Sequence, residues 1–335
     1  MSTECDSPRR FEELDDLVLA YQKSRVVVTA VELDVFSVIA DAPQSARAVA
    51  TACGTDVRAT GMLLDALSAL GLVTKQGNHY QCTELTGTAL NAASPESARA
   101  IFLHQNELWS RWSDLTDCVK EGRPAAEADA QNASFDQGTF IGAMHQRSLE
   151  QAPAFVQAVD CSGVNDLLDL GGGSGAYAIA FCQEYPEIHA TVLDRQGVVN
   201  LAADYVQRAG LQNRVETRAG DMFTDDLGGP YDLVWLSNVA HSYRGEDIVR
   251  LFRRIRGVLR PAGRFVLRDF IMSEDKTEPE FGAVFALNML VCTGDGGTYS
   301  GSEYREWLKR AGFVAPTFQR VSHAGNTALV VAENP

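Results

Sequence analysis

The spacing of apolar and polar positions divides the chain into a helical first part and an alternating second part. In the first part, Gly54 separates two of the helical segments, and Gly77-Asn78 separates two short strands around 72–74 and 79–82. Helices followed by such a hairpin are typical of a winged helix. The helical periodicity predicts helices over residues 11–28, 31–39, 46–52 and 57–70.

From residue 165 onward, apolar strand patterns alternate with helical patterns, which indicates an α/β fold with a parallel sheet covered on both faces. The last two strands, 316–321 and 327–332, are joined by only a few residues around Gly325-Asn326. So short a link cannot cross the sheet, so we expect these two strands to be antiparallel. The five earlier strands are predicted at 166–170, 189–193, 214–217, 231–236 and 264–270.

The chain has 335 residues, which suggests about two domains. We expect a domain at 1–98 and a second at 99–335, in which 99–160 is a helical connector with a polar loop near 122–134. With 45% hydrophobic and 22% charged residues, the composition excludes disorder. The longest apolar stretch, 281–292, is too short to span a bilayer, and MSTECDSPRR has no apolar core, so no secretion signal is expected.

The net charge of −15 disfavours nonspecific contact with nucleic acid or an anionic membrane. The winged-helix segment follows this trend, because residues 26–92 hold the bases Arg47, Arg58 and Lys75 against six acids, a net of −3. We therefore predict that it does not bind DNA. Apolar residues run almost all around the 57–70 helix, which favours packing against a second chain. The six acids are Glu32, Asp34, Asp41, Asp56, Asp65 and Glu84.

The seven cysteines stand far apart and form no C-x-x-C pair. This pattern argues against a zinc ribbon, a thioredoxin-type motif and a full disulfide framework. Free thiols in a reducing compartment fit it best, so we expect a cytoplasmic protein. No cluster of histidine and carboxylate has the spacing of metal ligands, so no metal is implied.

The central motif is the run Asp169-Leu170-Gly171-Gly172-Gly173-Ser174-Gly175-Ala176, which follows a predicted strand and opens a helix over 176–184. Glycines permit positive φ and close approach of a ligand, and the helix start offers free N–H groups. The glycine spacing also satisfies the dinucleotide pattern G-x-G-x-x-G/A, so a nicotinamide-dependent oxidoreductase stays open as an alternative. The carboxylate of Asp169 would repel a pyrophosphate, whereas it suits the ammonium and sulfonium of S-adenosylmethionine.

Two further acids follow predicted strand ends. Asp194 ends the second strand, where a carboxylate can accept hydrogen bonds from both ribose hydroxyls. Asp221 follows the third strand in Gly220-Asp221-Met222-Phe223, where the acid can take the adenine amino group while Met222 packs on the ring. Three acids at successive strand ends beside a glycine loop therefore predict an S-adenosylmethionine site.

These segments, together with others, make the chain resemble a known family. The motifs are DLGGGSG, GDMF, VAHSYRGED, LNMLVCT and the ending Arg310-Ala311-Gly312-Phe313. The whole chain resembles the small-molecule O-methyltransferases that pair an N-terminal winged-helix dimerisation domain with a class I S-adenosylmethionine domain. Plant phenolic, animal hydroxyindole and bacterial polyketide-tailoring enzymes belong to that family. The resemblance implies a Rossmann-like sheet, a homodimer through the N-terminal domain, and methyl transfer to a small aromatic or polyketide-like hydroxyl.

The resemblance also implies a catalytic pair. His241 follows the fourth strand and matches the family's base in the pattern H-x-W-x-x-E, with Tyr243 where tryptophan is common. A histidine can take the proton of a phenol as the new bond forms. Asp269 ends the fifth strand, and an acid at the matching place in relatives holds the histidine.

Other positions carry over from the same resemblance. Phe140, Met144 and Ser148 have the spacing i, i+4 and i+8 of one helix face. The first two would wall the acceptor pocket and the serine would reach the cofactor, while Asn288 would bind the acceptor and Ser237 the cofactor. Methylation of carbon or nitrogen, drifted chemistry on the same fold, and a ligand-sensing regulator remain the alternatives.

Overall fold

The computed structural model describes residues 10–125, 136–321 and 327–335. The chain forms two compact units, and the division falls between Glu107 and Leu108. This point lies inside the helix Arg99–Ser113, whereas the predicted boundary lies just before that helix. In the described residues, no helix has the length and apolar character needed to cross a membrane.

The N-terminal unit contains a winged helix, with helices followed by an antiparallel hairpin. Side-chain caps explain where two helices begin: Ser45 accepts from the N–H of Ala48, and Asp56 accepts from the N–H of Ala59. The hairpin strands β2 and β3 pair with each other, and β1 joins β3 at its outer side. The elements are α1 Phe11–Glu32, α2 Val35–Val38, β1 Gln44–Ser45, α3 Ala46–Cys53, α4 Val57–Ala69, β2 Val73–Gln76, β3 His79–Cys82, α5 Glu84–Ala89 and α6 Arg99–Ser113.

The prediction of one helix over 31–39 is wrong. Helix α1 continues through Glu32, and Asp34 then adopts a left-handed conformation with φ 58°, which breaks the helix before the short α2. The core of the unit holds Phe36, Ile39, Leu64 and Leu67, all fully buried.

The second unit begins with helices and continues as alternating strands and helices. The prediction of a helix at 176–184 is confirmed, and the strand predicted at 166–170 has the same bounds in the structure. The other predicted strands are found with shifted ends, most of all β8, which begins five residues early at Leu259 rather than 264. The elements are α7 Leu115–Glu121, α8 Gln137–Ala158, β4 Asp166–Leu170, α9 Ala176–Glu184, β5 His189–Asp194, α10 Gln196–Arg208, β6 Val215–Ala219, β7 Tyr231–Ser237, the 3-10 turn Ala240–Ser242, α11 Gly245–Val258, β8 Leu259–Asp269, β9 Ile271–Met272, α12 Glu280–Cys292, β10 Tyr299–Ser300, α13 Gly301–Ala311, β11 Val314–Arg320 and β12 Ala328–Glu333.

The central sheet has seven strands in the order β11-β12-β8-β7-β4-β5-β6 among the described residues. Strands β4 to β8 run parallel, and β12 lies antiparallel between β8 and β11. The reversed terminal hairpin is therefore confirmed, while its link around Gly325-Asn326 lies outside the described residues, as does most of the predicted loop at 122–134. The strand order changes direction between β4 and β7, which is where ligands bind in open α/β sheets.

Candidate active site

The glycine loop between β4 and α9 has a backbone that other residues would not adopt. Gly171 and Gly173 have φ of +66° and +58°. A Cβ at Gly171 would lie 2.9 Å from Val239 Cγ2 and 3.3 Å from Met222 Cε. A Cβ at Gly172 would lie 2.7 Å from the Asp169 carboxyl carbon. The loop is therefore held close to its neighbours, with its backbone free to approach a ligand.

The position of Asp169 differs from the expectation of an open carboxylate at the sheet edge. Its side chain is 1% exposed and lies beneath the loop, where Oδ2 accepts from the N–H of Ala178 at 3.2 Å. Burial raises the pKa of Asp169 to about 7, against 3.8 ordinarily, and the charge of Asp194 adds to the effect. The carboxyl thus supports the start of α9, and no ion pair to it is found in the described residues.

The other two acids stand at the ends of β5 and β6. Asp194 reaches back to the loop, because its Oδ2 accepts from the N–H of Gly173 at 2.9 Å. Asp221 is exposed and accepts from the N–H of Phe223 at 2.7 Å. Met222 is half-buried beside Gly171. Asp194 and Met222 therefore lie against the loop, and Asp221 is the residue next to Met222. Asp194 and Asp221 each also hold local backbone.

Helix α8 lies against the same loop. His145 Nδ1 is 2.8 Å from the Ser174 hydroxyl, and the imidazole stacks on Tyr205 with 3.8 Å between ring centroids. Burial lowers the pKa of His145 to about 4, and Arg208 contributes. His145 was not among the predicted site residues, because nothing in its local pattern distinguishes it from the other histidines.

The three predicted residues of α8 do share this helix. Phe140 is 37% exposed, and Met144 and Ser148 are half-buried. The hydroxyl of Ser148 lies near the Tyr177 phenol, on the helix that the glycine loop opens. Ser148 is thus placed beside the loop, and the pocket roles of Phe140 and Met144 stay predictions.

His241 and Asp269 meet at the carboxyl ends of β7 and β8. His241 Nδ1 is 2.7 Å from Asp269 Oδ1, and the His241 backbone N–H donates to Oδ2 at 3.2 Å. The histidine is 7% exposed and the aspartate is fully buried. Two contacts to one carboxylate fix the ring so that Nδ1 faces the acid and Nε2 is left for a ligand. Val239, two residues before His241, packs on Gly171, so this pair lies next to the glycine loop.

Three phenylalanines that the sequence analysis did not assign surround the histidine. The Phe285 ring lies 5.0 Å from the imidazole centroid in an edge contact, and the Phe270 ring lies 5.9 Å from it. Phe281 packs on both of these rings. The spacing of Phe281 and Phe285 on α12 could have marked them, since i and i+4 share a helix face. They provide an apolar, aromatic surface beside His241.

Asn288 lies one turn beyond Phe285 on α12. Its Oδ1 accepts from the indole N–H of Trp112 at 2.9 Å. Because an indole nitrogen only donates, this contact orients the amide with its oxygen toward Trp112 and its NH₂ group directed elsewhere. Ser237, at the end of β7, accepts from Arg268 Nη1 at 3.1 Å.

The residues around the glycine loop fit S-adenosylmethionine. The positions of Gly171 and Gly172 have no room for a Cβ, and the buried acid Asp169 has no cationic partner in the described residues. Such a place suits a ligand that brings a positive charge. In the described parts of the chain, no three histidine, cysteine or acidic side chains are grouped so as to hold a metal ion.

Comparison with known proteins gives matches over both units. The O-methyltransferase domain profile matches residues 112–314, and the O-methyltransferase dimerisation domain profile matches residues 15–91. The 3-hydroxy-5-methyl-1-naphthoate 3-O-methyltransferase of Streptomyces sahachiroi is 29% identical over 95% of this chain and 93% of its own length. The acetylserotonin O-methyltransferase of Mus musculus is 32% identical over 91% of this chain and 84% of its own. The crystal structure of human N-acetylserotonin methyltransferase with S-adenosylmethionine superposes with a TM-score of 0.86, 27% identity and 99% coverage of both chains.

Proposed function

The chain belongs to the O-methyltransferase family whose members carry a dimerisation domain, it uses S-adenosylmethionine, and we propose that His241 is its general base. The buried contact of 2.7 Å between His241 and Asp269, beside the glycine loop, carries this proposal. The pair lies where β7 and β8 end, the edge at which the sheet binds ligands.

S-adenosylmethionine, when bound, supplies an electrophilic methyl group. The chain's own part is to position the acceptor and to remove its proton. Asp269 holds His241 through Nδ1, so Nε2 can accept the hydroxyl proton as the acceptor oxygen becomes nucleophilic. The buried carboxylate then stabilises the imidazolium that forms.

We infer that the acceptor is a small aromatic or polyketide-like hydroxyl compound. The rings of Phe270, Phe281 and Phe285 supply apolar surface beside His241, which suits a planar acceptor. Asn288, with its oxygen held by Trp112, has its amide N–H groups to offer, so it suits an acceptor with an oxygen near the reacting hydroxyl. The naphthoate and serotonin relatives act on aromatic compounds by their names, which agrees with this inference.

The glycine loop region is proposed to hold the cofactor. Gly171 and Gly173 would offer their backbone, Asp194 would accept from the ribose hydroxyls, Asp221 would take the adenine amino group, and Met222, which lies against Gly171, would pack on the adenine ring. Asp169 acts from beneath the loop as a negative charge for the cationic end of the ligand. Ser148 and Ser237 complete the predicted contacts.

The test is a methyl-transfer assay with isotope-labelled S-adenosylmethionine and a panel of phenols, naphthols and matched aromatic amines and thiols. We expect label in an oxygen-linked methyl group, identified by mass spectrometry and NMR. Label found only on nitrogen or carbon would favour the alternatives of N- or C-methylation. Binding of NADH without binding of S-adenosylhomocysteine would favour an oxidoreductase and reject the proposal.

The N-terminal unit is proposed to form a homodimer. Helix α1 exposes Phe11 by 80%, Leu17 by 66% and Val18 by 63%, which is apolar surface that a second copy would cover. By light scattering after size exclusion, we expect twice the mass of one chain. Leu17→Glu should give monomers, while Gln22→Glu, an added charge on the same helix, should not. A monomeric wild type would contradict this.

Six free cysteines among the described residues are consistent with a reducing compartment, so we propose a cytoplasmic location. The proposed partners are then a small-molecule substrate and a second copy of the chain, without nucleic acid or a membrane surface.

A further inference from the structure

A buried arginine lies at the ligand edge of the sheet without an acidic partner. Arg268 is 4% exposed and stands beside Ser237 in the pairing of β7 with β8. Its Nη1 donates to the Ser237 hydroxyl at 3.1 Å, and its Nη2 donates to the Gln151 side-chain oxygen. Its Nε has no hydrogen-bond partner, and no carboxylate of the described residues lies within ion-pair distance of it, although the charge of Asp269 acts on it from further away. Folded proteins normally pair a buried charge, so this guanidinium is suited to receive an anion.

The groups around Arg268 orient it. The guanidinium carbon lies 4.5 Å from the centroid of the Phe155 ring and 5.5 Å from that of Tyr177. The Tyr177 hydroxyl is buried and also has no hydrogen-bond partner, although the hydroxyls of Ser148 and Ser237 lie near it. The cluster therefore contains a cation and a phenol that both have unused donors.

The cluster lies next to the glycine loop. Tyr177 is the second residue of α9, which the loop opens, and Ser237 is the last residue of β7. Ser148 and Ser237 are half-buried, so the cluster reaches the surface at the carboxyl edge of the sheet. Burial raises the pKa of Tyr177, and the charges of Arg268 and Asp169 act on it in opposite directions. One phenol is thus flanked by a positive and a negative group.

We propose that Arg268, together with the Tyr177, Ser148 and Ser237 hydroxyls, binds the carboxylate at the amino-acid end of S-adenosylmethionine. The inference rests on the proposed function, because it needs that ligand in the glycine-loop site. A guanidinium and several hydroxyls make a strong, directional site for a carboxylate. Asp169, whose charge also acts on Tyr177, then supplies from beneath the loop the negative charge for the ammonium of the same zwitterion. The two ends of the amino acid are distinguished by two buried charges of opposite sign.

The experiment compares two ligands by calorimetry. S-adenosylhomocysteine has the carboxylate, and its decarboxylated analogue keeps the sulfur, adenosine and ammonium groups but lacks the carboxylate. We expect the wild type to bind the first about 10- to 100-fold more tightly than the second. Arg268→Met should remove most of this ratio by weakening only the carboxylated ligand. Arg260→Met, on the same strand at the opposite edge of the sheet, should leave the ratio as it is.

A second variant shows whether a change in the affinity ratio could come from loss of folding. Arg268→Gln keeps a polar group for Ser237 and removes the charge, so it too should lower the ratio. The thermal unfolding midpoint of each variant shows whether it folds. If folded Arg268 variants keep the wild-type ratio, or weaken both ligands equally, Arg268 only ties α8 to the sheet and the inference is overturned. If the wild type binds neither ligand, the proposed function itself fails.

Discussion

The glycine-loop region and the His241 region lie side by side, yet they are built in different ways. The glycine loop comes from one continuous segment, 169–176, and its conformation follows from three glycines with positive φ. The His241 region is assembled from β7, β8 and α12, which are distant in the chain. The first region depends on backbone, which tolerates few substitutions, whereas the second depends on the placement of individual side chains. We therefore expect variants in the first to change binding and variants in the second to change turnover.

The largest difference between the two regions is expected for His241→Ala, which should change turnover and leave cofactor binding nearly unchanged. His241→Ala should lower turnover by about 10²-fold or more, because it removes the base that takes the hydroxyl proton. The dissociation constant of S-adenosylhomocysteine, measured by calorimetry, should stay within about twofold. His189→Ala, an exposed histidine at the start of β5, is the matched control and should keep full activity. Full activity of His241→Ala on the true acceptor would reject the base role.

Substitution of Asp269, which holds His241, should lower turnover by less than substitution of His241. Asp269→Asn keeps the shape of the side chain but removes the charge that stabilises the imidazolium, so turnover should fall by about 10- to 100-fold. Steady-state kinetics should show this in kcat, with little change in the KM of the acceptor. A rise in that KM with kcat preserved would mean that Asp269 shapes the pocket instead of holding His241.

Substitution of Asp169, the acid of the glycine loop, should change the affinity for the cofactor and not the turnover. Asp169→Asn can still accept from Ala178, so we expect the fold to persist while affinity for S-adenosylhomocysteine falls by about tenfold. Calorimetry measures the affinity, and kcat at saturating cofactor should change little. An unchanged affinity would assign Asp169 to loop support alone.

The Asp169→Asn variant should also change how the free energy of unfolding depends on pH. The folded pKa of Asp169, about 7, lies above its ordinary value of 3.8, so the native state binds more protons between these pH values. The wild type should therefore lose stability relative to Asp169→Asn as pH rises from about 4 to 7. Denaturant unfolding at several pH values checks the sign.

His145 should show the opposite dependence and the smallest effect. Its folded pKa of about 4 lies below 6.5, so the unfolded state binds more protons in that window. Relative to His145→Gln, the wild type should lose stability as pH falls from about 6.5 to 4. At neutral pH the variant should cost only about 1–2 kcal/mol, from the loss of the hydrogen bond to Ser174 and of the stacking on Tyr205. Equal pH dependence of both proteins would contradict burial of a neutral imidazole.

Some parts of the site could be predicted from the sequence, and others could not. The glycine loop, its helix and the strand-end acids are local patterns, and in the structure Asp169 and Asp194 lie against the loop. The pairing of His241 with Asp269 was expected from the family and a normal strand order, and the adjacency of β7 and β8 provides it. Trp112, His145 and Arg268 were not assigned, since their partners lie on other elements and no local spacing identifies them. Phe285 was not assigned either, although its i, i+4 spacing from Phe281 marks a shared helix face.

The sequence alone determined the fold class, the reversed terminal hairpin and the glycine loop, because hydrophobic period, link length and glycine content act over a few neighbouring residues. Only the tertiary structure decided the orientation of particular side chains. Asp169 shows the difference: its place in the chain predicts a carboxylate at the sheet edge, yet packing of α9 turns it beneath the loop. Burial and hydrogen-bond partners come from segments far apart in sequence, so they are properties of the assembled sheet.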